Sequence, residues 1–359
     1  MNDSLVLTSP DFPELPESRR DYRAETKNSR NELASKMVQL RDARLEPSPE
    51  IIVTAQFLIF MGLPSRSSED RVIRKSTRLA DGSQIVVTFT AMNEGVKLPF
   101  GADVNMLHWM INRAIQIGSP FISWETAQEY LNWMNLSKGG RTLKELRERF
   151  ERIAGLAITV QRTNSTDVET FVMPIVRASR LPKSVKPQKN APEMPESRKS
   201  SQPRGLMFDE SFFQDFITHN VPMLKALLLL VSERPQLQQY IGFLGWRSWA
   251  ASSSTLIPWA NLREQLWHGD SNERRIKQRF KETIEALRIA WPELQAEARP
   301  KGLWIAPPLK GIQFIPSLPG PSRRGEMAST PASKRLKSAN RTPGLFSVGE
   351  IVSRTDSPF

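Results

Sequence analysis

The strongest constraint on the fold is the stretch 136–177, in which a charged helical pattern is followed directly by two β-type runs. The helical pattern has four apolar residues that share one face: Leu143, Leu146, Phe150 and Ile153. Gly155 then ends the pattern, as a residue free to adopt a left-handed backbone can. Runs rich in Val, Ile, Thr and Phe cover 156–163 and 168–177, with a polar turn between them. The sequence therefore predicts an amphipathic helix followed by a β-hairpin.

Basic residues surround the rest of this helix. At about 100° per residue, three of them point away from the apolar face and two lie at its flanks: Arg141, Lys144 and Arg152, then Arg147 and Arg149. A basic helix before a hairpin is typical of a winged helix, in which the helix lies in the DNA major groove and the hairpin contacts the neighbouring backbone. The alternative is a solvated helix without a partner, because Glu145, Glu148 and Glu151 lie among the basic residues.

The same order of elements is predicted twice. In the first half it consists of a helix from Asp103, a short strand at 121–124, a helix at 125–134, a Gly-Gly turn, the basic helix and the hairpin. In the second half it consists of helices at 235–251 and 259–267 around a short strand at 256–258, a turn at 268–270, a basic helix at 271–291 and a hairpin of 294–298 with 302–306. Six basic residues of this half are candidate DNA contacts: Arg274, Arg275, Lys277, Lys281, Arg299 and Lys301.

These patterns predict an α+β fold, mainly α, with two tandem winged-helix domains. The segments are a disordered or helical arm at 1–49, a first winged helix at 50–178, a flexible linker at 179–204, a second winged helix at 205–316 and a disordered basic tail at 317–359. The linker is rich in proline, serine and basic residues, so it cannot bury enough surface to fold alone. We expect it to let the two domains dock independently. The tail either attracts phosphate through its basic clusters or is an inert solvated segment.

Further expectations concern the edges of these domains. A charged helix is predicted within 23–45 and is expected to be loosely attached. One side of it has Leu33, Met37, Leu40 and Arg44. The apolar run 50–62 predicts the first core helix, and a second apolar helix is predicted from Val221. The segment 63–78 is predicted to be a polar, basic connector before a strand at 84–91.

Charge and composition narrow the class of partner. The 359 residues include 50 Lys and Arg against 38 Asp and Glu, a formal net charge of +12, which favours a polyanion. Nucleic acid is the leading candidate, and an acidic membrane surface is the other. No apolar run approaches the roughly 18 residues that a membrane span needs, and the polar first residues do not resemble a signal peptide. Cysteine is absent, which excludes disulfides and thiolate metal sites and fits the cytoplasm, where we expect the protein.

The sequence contains few residues suited to catalysis. It has no Gly-x4-Gly-Lys-Ser/Thr loop for nucleotide phosphates. Its histidines, His108, His219 and His268, are scattered and none pairs with another at the spacing of a two-His metal site. A tyrosine nucleophile of the strand-nicking kind needs an adjacent metal cluster, and the sequence indicates none. We therefore expect no enzymatic activity, no metal and no cofactor.

Four motifs in the first half together resemble a known family. They are the turn Leu98-Pro99-Phe100-Gly101, the Leu-His-Trp-Met segment at 107–110, the short strand and apolar helix at 121–134, and the Gly-Gly-Arg turn with its Arg-rich helix at 139–152. They are similar to motifs of the plasmid replication initiators of the RepA family. The resemblance runs from about residue 50 to 317 and is only architectural in the second half. Many members of the family have a Pro-Arg pair where this sequence has Ala102-Asp103-Val104. A contact made by the family's Arg is therefore not expected in this chain, but the expected fold is unaffected.

The resemblance implies a tandem winged-helix initiator. Such proteins bind direct repeats, called iterons, in double-stranded origin DNA, help to open adjacent A·T-rich DNA, and recruit the host initiator and the replicative helicase. Many also repress their own gene as homodimers, and they are not enzymes. Three rival hypotheses stay open: a winged-helix transcriptional repressor without an initiator role, a nicking relaxase-type enzyme, and a protein-interaction scaffold whose charge serves solubility.

Overall fold

A computed structural model describes residues 17–79, 82–124, 126–137, 140–180, 205–267 and 272–315, with side chains from residue 30 onward and from residue 143 in the basic helix of the first half. The fold is α+β and mainly α, as predicted. The predicted tail at 317–359 and most of the predicted linker lie outside the described residues.

The first half of the chain contains five helices and seven strands among its described residues. They are α1 (Glu17–Arg44), β1 (Ile51–Ala55), α2 (Gln56–Phe60), β2 (Val72–Arg78), β3 (Gln84–Ala91), α3 (Asp103–Ile117), β4 (Phe121–Ser123), α4 (Gln128–Trp133), α5 (Gly140–Ala154), β5 (Leu156–Thr163), β6 (Val168–Pro174) and β7 (Val176–Arg180). The predicted order of helix, short strand, helix, basic helix and hairpin is confirmed as α3, β4, α4, α5 and β5–β6.

The second half repeats that order. Its elements are β8 (Gly205–Phe208), α6 (Glu210–Thr218), β9 (Asn220–Leu224), α7 (Lys225–Leu230), α8 (Pro235–Ala250), β10 (Thr255–Pro258), α9 (Trp259–Leu266), α10 (Glu273–Ala290), β11 (Ala296–Ala298), β12 (Gly302–Ile305) and a 3-10 helix (Leu309–Gly311). The series α8, β10, α9, α10 and β11–β12 matches the series of the first half element by element.

A strand followed by a short helix precedes each series, and the sequence did not predict either strand. We expected a helix over 50–62, but 51–55 is β1, and α2 begins only at Gln56. The apolar helix expected from Val221 likewise begins as β9 and turns helical at Lys225. The two strands pair with each other in antiparallel register, from Ile51 opposite Leu224 to Ala55 opposite Asn220. A short apolar run does not distinguish a strand from a buried helix, and a partner this distant in sequence gives no local signal.

The described residues form four sheets, and two of them, β1-β9 and β4-β8-β7, contain strands of both halves. The hairpin β5–β6 extends β2 and β3 into a four-stranded antiparallel sheet, and β10 pairs with β12 in a three-stranded sheet of the second half. The third sheet has the order β4-β8-β7, so the first strand of the predicted second domain lies between two strands of the first. The predicted connector at 63–78 contains β2, whose strand character was hidden because a charged residue, Lys75, lies on its buried face.

The buried side chains of both halves form one continuous core. Ring contacts cross between the halves, with centroids 6.0 Å apart for Phe57 and Phe212 and 5.6 Å apart for Phe60 and Trp246. The expectation that the halves dock independently is therefore wrong, because separating them would expose apolar rings and break two sheets.

The N-terminal helix was predicted correctly, but its loose attachment was not. The expected stripe faces inward, and Met37 and Leu40 are fully buried. α1 packs along α10. Arg44 is only 3% exposed, and its guanidinium donates to the carbonyl oxygen of Gln313 at 3.2 Å and lies 3.5 Å from a carboxylate oxygen of Glu293. The apolar stripe of α1 is too narrow to form a core by itself, and elements at the end of the second half bury it.

Candidate nucleic-acid interface

Helix α10 presents the most accessible basic surface of the predicted contacts. Asn272 caps its start, since the Asn272 side chain accepts a hydrogen bond from the backbone N–H of Arg274 at 2.9 Å. Its inner stripe is fully buried: Ile276, Phe280, Ile284 and Leu287. The amphipathic pattern therefore leaves its basic residues on the outer face. The predicted turn at 268–270, with His268, lies outside the described residues.

The basic residues of the first turns of α10 have few competing partners. The side chains of Arg274 and Arg275 are exposed and that of Lys277 is half-buried. None of these three forms a side-chain hydrogen bond or ion pair with another residue that the structure describes. Lys281 lies 4.0 Å from Glu285, and both side chains are 61% exposed, so water screens this pair strongly. These positive groups are available to an external anion.

The hairpin β11–β12 lies next to α10 and has a basic tip. Its turn closes through the backbone N–H of Arg299, which donates to the carbonyl oxygen of Gly302 at 2.9 Å. The Arg299 guanidinium lies 4.5 Å from the ring of Trp304 and 2.9 Å from a carboxylate oxygen of Glu297, which orients it along the hairpin. Lys301 at the tip is exposed.

The hairpin is fixed to the helices before it. The indole N–H of Trp259, at the start of α9, donates to the carbonyl oxygen of Arg299 at 3.0 Å. Strand β10 pairs with β12 so closely that a Cβ at Gly302 would lie 2.3 Å from the carbonyl oxygen of Ile257. Only glycine fits there. The tip therefore has a defined position relative to the helices α9 and α10.

The corresponding helix of the first half, α5, uses its basic residues differently. Lys144 is 80% exposed and lies 3.9 Å from Glu148, so it is accessible. Arg147 is paired with Glu151 at 2.9 Å. The Arg141 side chain lies outside the described residues.

Arg152 does not point outward as predicted. Its guanidinium donates twice to Asp103, with Nε at 2.7 Å from Oδ2 and Nη2 at 2.9 Å from Oδ1, and it lies 4.8 Å from the ring of Phe100. Arg149 approaches the same carboxylate, with its Nε 3.6 Å from Oδ1. Asp103 is 2% exposed. The helical wheel of α5 could not reveal this, because the partner is the first residue of α3, distant in sequence.

The hairpin of the first half also differs from that of the second. Its turn is held by the Asn164 side-chain oxygen, which accepts from the backbone N–H groups of Thr166 and Asp167 at 2.8 and 2.6 Å. The residues of this turn, 164–167, include an acidic one and no basic one. The hairpin extends the sheet of β2 and β3, and its tip offers little attraction to phosphate.

The buried polar groups of the described residues include one histidine, His108. Burial lowers the pKa of His108 to about 3, so this side chain is neutral inside the core. The described residues contain no group of three or more metal-ligating side chains, and none of the described helices has the length and apolar character that crossing a membrane requires. A cavity of about 60 Å³ between β9 and α8 is lined by Gln56 and Trp246, whose buried side-chain polar atoms have no hydrogen-bond partner among the described residues.

Comparison with solved structures gave distant neighbours, among them two crystal structures of one protein. No protein-family model matches the chain, and no curated protein matches it. A crystal structure of domains 2 and 3 of RctB aligns with 69% of this chain and 94% of its own, at 9% identity and a TM-score of 0.38. A second crystal structure of the same two domains aligns with 68% of this chain and 94% of its own, at 11% identity and a TM-score of 0.43.

Proposed function

We propose that this protein binds double-stranded DNA sequence-specifically, with α10 and the hairpin β11–β12 as its main contact. The observation behind the proposal is the free basic surface of the second half. Arg274, Arg275 and Lys277 have no side-chain partner among the described residues, and Lys301 is exposed at the tip of the adjacent hairpin. The net charge of +12 adds a general attraction to a polyanion.

The arrangement around these residues supports a winged helix. Helices α9 and α10 follow one another closely, β10 pairs with the hairpin, and the hairpin projects beside α10. In this geometry the second helix enters the major groove and the hairpin contacts the sugar–phosphate backbone. An Arg that meets a guanine edge with two hydrogen bonds contributes about 1–3 kcal/mol of discrimination. A residue that meets phosphate contributes affinity without specificity.

The biological role that we propose is that of a plasmid-type replication initiator. In this role the protein binds iterons at an origin, promotes opening of adjacent DNA and recruits the host initiator and replicative helicase in the cytoplasm. A homodimer of the protein would repress its own gene. The support for this role is the RepA-like motifs between Leu98 and Arg152. We propose no enzymatic activity and no cofactor, because the function requires binding and DNA deformation alone.

The first experiment is selection of bound sequences from random DNA, followed by footprinting of the DNA that flanks the gene, at near-physiological salt. We expect protection of evenly spaced direct repeats, lost in an Arg274→Ala plus Arg275→Ala double variant. The matched control removes the same charge at exposed ion pairs elsewhere, through Arg41→Ala plus Lys97→Ala, and should keep the footprint. Protection no stronger than non-specific binding by the unaltered chain would contradict the proposal.

A winged-helix transcriptional repressor is the alternative function, and the same basic surface supports it. The architecture of the target distinguishes the two, because an initiator requires an array of repeats beside A·T-rich DNA and a repressor requires a lone operator. Cleavage of supercoiled DNA in the presence of a divalent metal would instead favour a relaxase. Weak binding of equal strength to all DNA would favour an interaction scaffold.

A further inference from the structure

A lysine lies on the buried face of strand β2. Along β2, buried and exposed residues alternate, and Lys75 falls on the inner face together with Ile73 and Thr77. Its side chain is 2% exposed. Since an ammonium group loses its hydration on burial, such a position is costly unless the protein supplies replacement partners.

Three carbonyl oxygens replace water around this group. Nζ of Lys75 donates to the carbonyl oxygens of Met61 at 2.8 Å, Gly62 at 3.1 Å and Leu266 at 3.4 Å. Met61 and Gly62 directly follow α2, and Leu266 is the last residue of α9. The C-terminal carbonyls of a helix lack intrahelical donors and have partial negative charge. An ammonium group has three N–H donors, which matches the three acceptors in number.

Among the residues that the structure describes, no carboxylate is paired with the Lys75 ammonium. The inner-face neighbour on β3 is the Phe89 ring, whose centroid lies 6.0 Å from Nζ. On α9, Glu264 accepts from the hydroxyl of Ser76, which lies on the opposite face of β2, and Arg74 and Arg78 also lie on that face. Burial lowers the pKa of Lys75 to about 7. The charge on this group therefore depends on its carbonyl partners and changes within an accessible range of pH.

Lys75 is at the centre of a contact between the two halves. Strand β2 packs against α9, and the hydroxyl of Thr77 lies 3.3 Å from the side-chain oxygen of Gln265. The side-chain N–H of Gln265 donates to the carbonyl oxygen of Phe60 at 2.8 Å. These bonds link the four-stranded sheet to the end of α9, a few residues before α10 begins.

We propose that Lys75 is a positioning residue whose ammonium group fixes the end of α9, and with it α10, relative to the sheet and helix α5 of the first half. The consequence for DNA rests on the proposed function: together with the shared core and sheets, this contact holds α10 at a fixed distance from the exposed basic residue of α5, Lys144, and so it affects the spacing preferred on a DNA site that both helices touch. The residue does not contact DNA itself.

The direct test measures that distance without DNA. The chain has no cysteine, so Lys144→Cys on α5 and Lys281→Cys on α10 give one spin-label pair in the full-length protein. We expect a narrow distance distribution in the parent protein and one at least roughly twice as wide with Lys75→Met, which keeps the side-chain length but removes all three donors. Ser76→Ala is the matched control, since it removes a bond of the same contact at the exposed face of β2. An unchanged distribution in folded Lys75→Met would overturn the proposal.

A pH series on the parent protein provides a second readout that needs no folded variant. A neutral amine has two N–H donors, so one carbonyl loses its partner when Lys75 deprotonates. Between pH 6 and pH 9 we expect the distribution to widen in the parent protein and to stay constant in Lys75→Met. If Lys75→Met does not fold, the parent series decides, and a distribution constant over this range would contradict the inference.

A DNA measurement separates this inference from the proposed function. The DNA sites for this test contain the segment bound by α5 and the segment bound by α10, at the selected spacing or at a spacing two base pairs longer. We expect Lys75→Met to reduce the preference for the selected spacing roughly tenfold. Its affinity for DNA that contains only one of the two segments should be unchanged. Failure of the parent protein to prefer any sequence would refute the proposed function and leave the distance test intact. Full spacing preference in Lys75→Met would refute the positioning role alone.

Discussion

The basic helices α5 and α10 occupy equivalent places in the two repeats, but their charges meet different partners. In α10, Arg274 and Arg275 are exposed and have no side-chain partner among the described residues. In α5, Arg152 and Arg149 are directed to the buried carboxylate of Asp103. The same sequence pattern therefore produces an accessible basic surface in one half and an internal ion-pair cluster in the other.

The two hairpins differ in the same direction. The turn of β11–β12 has Arg299 and Lys301, whereas the turn of β5–β6 has Asp167 and no basic residue. The first hairpin also extends a four-stranded sheet that packs against α9 of the second half. The comparison indicates that the first half supports the second and that the second half is the better suited to bind DNA.

The largest effect that tests this comparison is on stability. Asp103→Asn removes the charge that two arginines share, so we expect a loss of about 3–5 kcal/mol in the free energy of unfolding, since unpaired buried charges are strongly destabilising. Urea unfolding followed by circular dichroism measures it. Asp42→Asn, at an exposed ion pair, is the control and should change stability by less than about 0.5 kcal/mol. Equal effects of the two substitutions would show that the Asp103 cluster is not an internal support.

The next effect is on DNA specificity. Arg274→Ala should remove about 1–3 kcal/mol of discrimination at one base pair of the selected site, if this residue contacts a guanine edge. Arg152→Ala should leave the base preference of the folded protein unchanged, because its guanidinium is bound to Asp103. Competition binding with all single-base variants of the site measures both. A specificity loss with Arg152→Ala that matches the loss with Arg274→Ala would eliminate the distinction between the helices.

A smaller effect is expected at the hairpins. Lys301→Ala should weaken binding to all sequences equally and lower the slope of log affinity against log salt by about 1, the signature of one lost phosphate contact. Asp167→Asn in the other turn should leave that slope unchanged. Salt titrations of fluorescence anisotropy give both slopes. A slope change with Asp167→Asn would mean that the first hairpin also lies near phosphate.

The smallest effect is expected for Lys144→Ala. Its pair with Glu148 is exposed, so stability should change by less than about 0.5 kcal/mol. DNA affinity should fall by roughly two- to threefold, as for one exposed phosphate contact. Isothermal unfolding and anisotropy titrations are the measurements. A loss above tenfold with altered base preference would show that α5 contacts bases as α10 does.

Local patterns were sufficient to predict the repeated order of elements and the buried stripe of α10. They also placed Arg274, Arg275, Lys281 and Lys301 on accessible surface, because the spacing of apolar residues determines the faces of a helix and turn residues determine a hairpin. The contacts with DNA themselves stay a prediction.

Pairings between distant segments could not be predicted. Strand β1 pairs with β9, Arg152 forms an ion pair with Asp103, and the stripe of α1 packs against α10. In each pair the two partners are far apart in sequence. Strand β2 was missed for a related reason, since Lys75 made a buried position appear polar. In each case the deciding energy comes from the tertiary partner, for which the local sequence holds no signal.

The pairing of β7 with β8 has a consequence for how much this chain can be altered. Arg180 lies opposite Gly205, so the backbone leaves and re-enters the sheet at adjacent points. The entropy of closing a loop grows only slowly with its length, by about 0.6 kcal/mol per doubling. Chain inserted between these two residues would thus cost little stability while the sheet keeps both ends in register. The chain between Arg180 and Gly205 is therefore a suitable site for inserting a fluorescent reporter protein. It is also a suitable site for the new termini of a circularly permuted variant.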